Sequence, residues 1–77
     1  MLQVNSIGVN QTIIGTGNKE IFFSYKTPVA ICEDGVIYKT EKKFSKTTSK
    51  HINNFIKHVG INIIKEKSQE FFNSLLD

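Results

Sequence analysis

Residues 36–60, "VIYKTEKKFSKTTSKHINNFIKHVG", contain the point at which the apolar pattern changes period. Val36, Tyr38 and Thr40 alternate with Ile37 and Lys39, the two-residue repeat of an extended strand. Further on, Ile52, Phe55, Ile56 and Val59 stand at i, i+3, i+4 and i+7, one face of a helix. Between the two lies "KKFSKTTSKHIN", residues 42–53, with four Lys, four Ser or Thr and one His. Ser45 or Thr47 is placed to cap the helix by accepting a backbone N–H, and Gly60 suits its end.

Upstream of this switch the chain reads as β-structure. "IIGTGNKEIFFSY", residues 13–25, sets a Gly/Asn/Lys break between two apolar runs, the pattern of a hairpin. In its second run Ile21, Phe23 and Tyr25 share one face, and Phe22 and Ser24 the other. Pro28 has no backbone donor, so it should begin a strand or lie on an edge. Glu33-Asp34-Gly35 is the clearest turn in the chain. A further strand is expected around Leu2 to Asn5. Downstream, "INIIK", residues 61–65, reads as a returning strand, and Ser68 starts a short helix with Phe71, Phe72, Leu75 and Leu76 on its buried side.

These elements predict an α+β fold: a small antiparallel β-sheet of four to five strands packed against one or two C-terminal helices, with residues 1–77 forming a single domain. Neither helix is long enough to be stable alone in water, so both depend on the sheet. Eleven Ile, six Phe and two Tyr supply core material for 77 residues. Phe23 is assigned to that core. Phe22 and Tyr25 are left between core and a surface that stacks nucleic-acid bases.

Composition narrows the function. Cys32 is the only cysteine, which excludes an intramolecular disulfide framework and any all-cysteine zinc site and fits a reducing cytoplasm. No secretory leader is expected from "MLQVNSIGVN", and no apolar run approaches membrane-spanning length. The formal charge of +3 is unevenly distributed: six of the ten Lys lie between Lys39 and His58, against the single acid Glu41. Every basic residue other than the two His is Lys. Arg normally supplies the bidentate contact to guanine edges, so its absence argues against a dedicated sequence-specific DNA reader.

A helix N-terminus with free N–H groups and a partial positive charge favours anions. Lys42, Lys43, Ser45, Lys46, Thr47, Thr48, Ser49, Lys50 and His51 are therefore the candidate binding residues for an anion or an acidic partner. Two other readings stand beside this one. In one the hydroxyls serve only as caps; in the other Thr47, Thr48 and His51 hydrogen-bond to the neighbouring Thr27-Pro28-Val29-Ala30 strand and fix the helix on the sheet. His51 and His58 are about 10.5 Å apart along a helix at 1.5 Å per residue, too far to chelate one ion, so no metal site is expected. Neither a nucleophile elbow, a phosphate loop nor a metalloprotease motif occurs, so no catalytic residue and no cofactor is assigned.

Two segments, taken together, resemble a family of small uncharacterised proteins of tailed phages and mobile elements. The first holds Tyr25, Thr27, Pro28, Val29 and Ala30, matching a Tyr-x-Thr-Pro-Val-Ala strand. The second holds Phe44, Ser45, Thr47, Thr48, Ser49, Lys50, His51, Ile52 and Asn53, matching an aromatic-Ser-x-Thr-Thr-Ser-basic-His-Ile-Asn helix start, where the aromatic is more usually Trp. The resemblance covers Ile21 to Ile56. It implies a phage or mobile-element origin and the cytoplasm of a host bacterial cell, and it brings no established activity.

The sequence thus leads to a non-enzymatic accessory protein that binds a host or defence protein with an acidic surface, or a nucleotide. The alternative is sequence-independent binding of nucleic acid. No membrane partner is expected, and the oligomeric state is left open.

Overall fold

The computed structural model describes residues 2–75. It is a six-stranded sheet in the order β1 to β6, with β1 Leu2–Gly8, β2 Gln11–Thr16, β3 Lys19–Ser24, β4 Thr27–Glu33, β5 Val36–Thr40 and β6 Ile64–Lys67. Helix α1 spans Lys46–Val59 and α2 spans Gln69–Ser74. The α+β class and the strands-then-helices order are those expected from the sequence. Leu76, expected on the buried side of α2, lies outside the described residues.

Short turns make β1 to β5 a meander. Gly17 has φ 57° between β2 and β3, and Asp34 and Gly35 have φ 52° and 77° between β4 and β5. Two consecutive positive φ values are the signature of the type I′ turn, whose twist matches that of the strands it joins. Lys19 and Glu33 face each other across β3 and β4 and form an ion pair at 3.3 Å.

The sheet differs from the expected one in two respects. It has a sixth strand, and that strand is parallel: Ile37 pairs with Ile64, and Thr40 with Lys67. The route explains the direction. From β5 the chain crosses through α1 and returns to the same end, and a helical crossover delivers a parallel neighbour. The strand also begins three residues later than the "INIIK" pattern indicates, because Ile61 packs on the core beside α1.

Apolar residues are buried on both faces of the sheet. Register places Ile13, Phe22 and Ala30 side by side across β2, β3 and β4. They pack with Cys32, Ile37 and the α1 residues Ile52 and Phe55 into one cluster. Phe22 and Phe55 stack with ring centroids 4.8 Å apart and an 11° interplanar angle. Such a pair contributes about 0.5–1.5 kcal/mol beyond its area burial.

Ile21, Ile31 and Tyr38 align on the other face, where Phe23 pairs with Pro28. Helix α2 packs against β4 on this side. Phe72 is fully buried, and the Gln69 side chain donates to the Pro28 carbonyl at 2.9 Å. The division settles the aromatics: Phe22 and Phe23 are both core, one on each face, and Tyr25 is half exposed. Pro28 sits near the start of β4, where the register with β3 shifts around Val29, the kind of position at which a missing donor is tolerated.

Candidate functional site

The chain between β5 and α1 closes the first turn of the helix on itself. Ser45 is the N-cap, with extended backbone (φ −82°, ψ 168°), and its Oγ accepts from the Thr48 N–H at 3.3 Å. Its carbonyl accepts from the Ser49 N–H at 3.2 Å. At the far end Gly60, at φ 77°, donates its N–H to the Ile56 carbonyl at 2.9 Å. Beyond this bond the left-handed backbone turns the chain out of the helix, a conformation that glycine enters without steric penalty.

The helix then divides the nine candidate residues between interior and surface. Thr48 and His51, one turn apart, face inward and are 7% and 8% exposed. Both meet Ser24, the last residue of β3, which is 2% exposed. Ser24 Oγ and His51 Nδ1 share a hydrogen bond of 2.8 Å, and Ser24 Oγ also donates to Thr48 Oγ1 at 3.4 Å. Thr48 Oγ1 is in turn 3.4 Å from Ser45 Oγ. A chain of three hydroxyls and one imidazole therefore runs from the helix cap to the sheet. Buried polar groups that find such partners lock a helix in one position, because any sliding leaves them unsatisfied.

Tyr25 follows Ser24 and covers the network from outside. Its ring centroid is 5.6 Å from that of His51, and its N–H donates to the Asn10 carbonyl at 2.7 Å. The backbone there has φ 59°, a conformation that is rare for a bulky residue and costs on the order of 1–2 kcal/mol.

The lysines face the other way. A cleft of about 440 Å³ is lined by Lys39, Lys42, Lys43 and Lys46 together with Phe44, Ser45, Ser49 and Asn53. Glu41 and Glu66 stand on its wall, and Ile52 also contributes to its lining. Among the described residues only Lys19 and Glu33 form a close ion pair, so no cleft lysine is in close contact with a described carboxylate. Lys42 Nζ lies 5.0 Å from the Phe44 ring centroid, and Phe44 is 37% exposed. Thr47 and Lys50 are exposed but lie outside the cleft lining.

Three features of this region were not singled out from sequence. Ser24 is the sheet partner of the inward residues; its position two residues from Phe22, on the same face, is the signal that marks it. Lys39 belongs to the basic block but precedes the segment read as the site. Glu66 arrives only through the parallel pairing of β6, which brings it beside Lys39.

Among the described residues no group of three or more His, Cys, Asp or Glu is placed to hold a metal ion. Likewise, none of the described helices is long and apolar enough to cross a membrane. Burial, and after it the charge of Glu20, holds the Cys32 thiol above its ordinary range. That thiol belongs to the core under α1.

Fold and cleft together define a small α+β protein with a lysine-lined cleft beside a capped helix. The chain belongs to a family of unknown function, DUF8033, whose profile matches residues 2–74. The match therefore extends well beyond the Ile21–Ile56 region of resemblance and takes in the N-terminal hairpin and α2. No curated protein and no solved structure matches the chain.

Proposed function

We propose that this protein is a non-enzymatic accessory protein of a phage or mobile element, which binds an acidic surface of a host or defence protein through the Lys39–Asn53 cleft. The observation that carries this reading is the set of four lysines around one cleft beside a helix start, none of them in a close ion pair among the described residues. Such a surface attracts carboxylates at long range and leaves its ammonium groups available at contact. The hydroxyls supplement it: Ser45 and Ser49 line the cleft, while Thr48 and His51 hold the helix that presents it. His51 commits Nδ1 to Ser24, so its inward ring nitrogen serves packing in this reading.

A second reading rests on Phe44. An exposed aromatic ring among lysines is the combination that holds single-stranded nucleic acid, with bases stacking and phosphates paired. Lys42 already occupies part of the space over that ring, which favours the protein partner.

The test is affinity capture from bacterial lysate with the wild-type chain and with Lys42→Glu/Lys43→Glu/Lys46→Glu. One stoichiometric protein, kept after nuclease treatment and lost with the triple variant, is the expected result. Capture that disappears on nuclease treatment replaces this reading with the nucleic-acid one. Capture unaffected by the triple variant removes the cleft from the function.

A further inference from the structure

The two edges of the sheet are built differently. Strand β6 carries Lys65, Glu66 and Lys67 in four residues, the charged composition that natural edges use against chance pairing. Strand β1 has no such protection. Residues 1–18 contain no Asp, Glu, Lys, Arg or His, so the whole first hairpin is uncharged on a chain of net charge +3. Strand β1 pairs only with β2 and ends the sheet, leaving one row of its backbone groups without strand partners.

An apolar row leads to this edge. Register aligns Val4 with Ile14, Ile21 and Ile31 across β1 to β4, on the face that carries α2. Ile31 is 1% exposed and Val4 is 62% exposed, so the row runs from the core out to an uncovered end. A register shift between Ser6 and Gly8 limits the regular part of the edge to Leu2–Ser6, whose middle residue is Val4.

We infer that β1 is a self-association edge, on which a second copy of the chain pairs antiparallel about a two-fold axis through Val4. Val4 then meets its own copy, Gln3 meets Asn5, and Leu2 meets Ser6. The apolar row continues across the axis, the amide side chains meet on the opposite face, and no like charges are brought together. A neutral surface lets a cationic protein meet its own copy without bringing like charges together, and the first hairpin is such a surface. An acidic partner has its complement at the opposite side of the sheet, in the lysine cleft, so the occupant fitted to β1 is the chain itself.

The paired sheet has twelve strands and the closed, isologous symmetry usual for homodimers. It sets two lysine clefts on one face, on the order of 40 Å apart at about 4.8 Å per strand. The inference does not depend on what the clefts bind. Edge pairing of this length is a small interface, so the expected dissociation constant is micromolar.

The experiment is sedimentation equilibrium over a concentration range spanning micromolar to submillimolar. The wild-type chain is expected to move from its 8.7 kDa monomer mass to twice that value. Val4→Lys is expected to stay monomeric with an unchanged circular dichroism spectrum, and Lys65→Glu on the β6 edge to dimerise as the wild type does. Val4→Cys provides an independent readout, since oxidation is expected to trap a covalent dimer on a non-reducing gel. A wild-type chain that remains monomeric throughout overturns the inference. So does a dimer that Val4→Lys leaves intact and Val4→Cys fails to trap.

Discussion

Ser24 Oγ and His51 Nδ1 lie 2.8 Å apart in the interior, joining the last residue of β3 to the middle of α1. Through Thr48 this bond connects with the Ser45 cap, so one polar network sets both where the helix begins and where it rests. The lysine cleft depends on that placement, because Lys46, Ser49 and Asn53 reach it from the first two turns of the same helix.

Ser24→Ala removes the shared partner of Thr48 and His51. Leaving buried polar groups unsatisfied costs about 1–3 kcal/mol. For a domain of this size that corresponds to a melting temperature lower by roughly 4–8 °C per kcal/mol. A double-mutant cycle between Ser24→Ala and His51→Ala should give a coupling energy of at least about 0.5 kcal/mol, as for residues in one network. Additive effects in thermal melts would mean that the bond contributes nothing.

Tyr25→Asn tests what the strained turn is for. Asparagine tolerates positive φ better than tyrosine, which recovers about 1 kcal/mol, while loss of the ring contact with His51 costs a similar amount. The expected net change in stability is below about 1 kcal/mol. A loss above about 2 kcal/mol would show instead that the ring is a structural lid on the network.

Phe55→Ala and Phe72→Ala probe the two faces of the sheet separately, since both rings are fully buried. Each should cost about 3–5 kcal/mol. Against a typical total of about 5–15 kcal/mol, either variant is expected to be close to unfolding in urea titrations. If Phe72→Ala proved nearly neutral, α2 would be a loosely attached tail and not the cover of the second face.

Cys32 reports on the same core without mutation. Burial and then Glu20 raise its thiol pKa above the ordinary 9.0, so the protonated thiol is the form the fold favours. Its contribution to stability is complete below the ordinary value and is lost as pH rises through the raised one. At neutral pH, labelling by a thiol reagent should be slow in the native protein and fast in denaturant. Rapid native labelling at pH 7 would contradict the burial.

The fold was legible wherever periodicity is local. The change at residues 36–60 located β5 and α1, Gly60 and a cap at Ser45 or Thr47 bounded the helix, and turn residues placed β2 to β5, while β1 was expected only around Leu2 to Asn5 and extends to Gly8. What was not legible depends on contacts distant in sequence. The parallel pairing of β6 follows from a crossover path, and four exposed residues of Ile64–Lys67 carry no alternating pattern to announce it. The inward rotation of Thr48 and His51 was one of the readings open in the sequence, but its partner was not: the bonds go to Ser24 at the end of β3 and not to the Thr27–Ala30 strand, and Thr47 stays exposed. Of the four hydroxyls at the helix start, Ser45 caps, Thr48 bridges to the sheet, Ser49 lines the cleft and Thr47 is exposed outside it.

The central claim, that the lysine cleft is the contact surface, is tested most directly by amide chemical-shift mapping. ¹⁵N-labelled protein would be titrated separately with a poly-glutamate peptide and with a single-stranded oligonucleotide at physiological salt. The account expects saturable shifts concentrated at Lys39, Lys42 to Lys46, Ser49 and Asn53, and their loss in Lys42→Glu/Lys43→Glu/Lys46→Glu. Saturable shifts that map to another face, or no shifts with either anion, would contradict it.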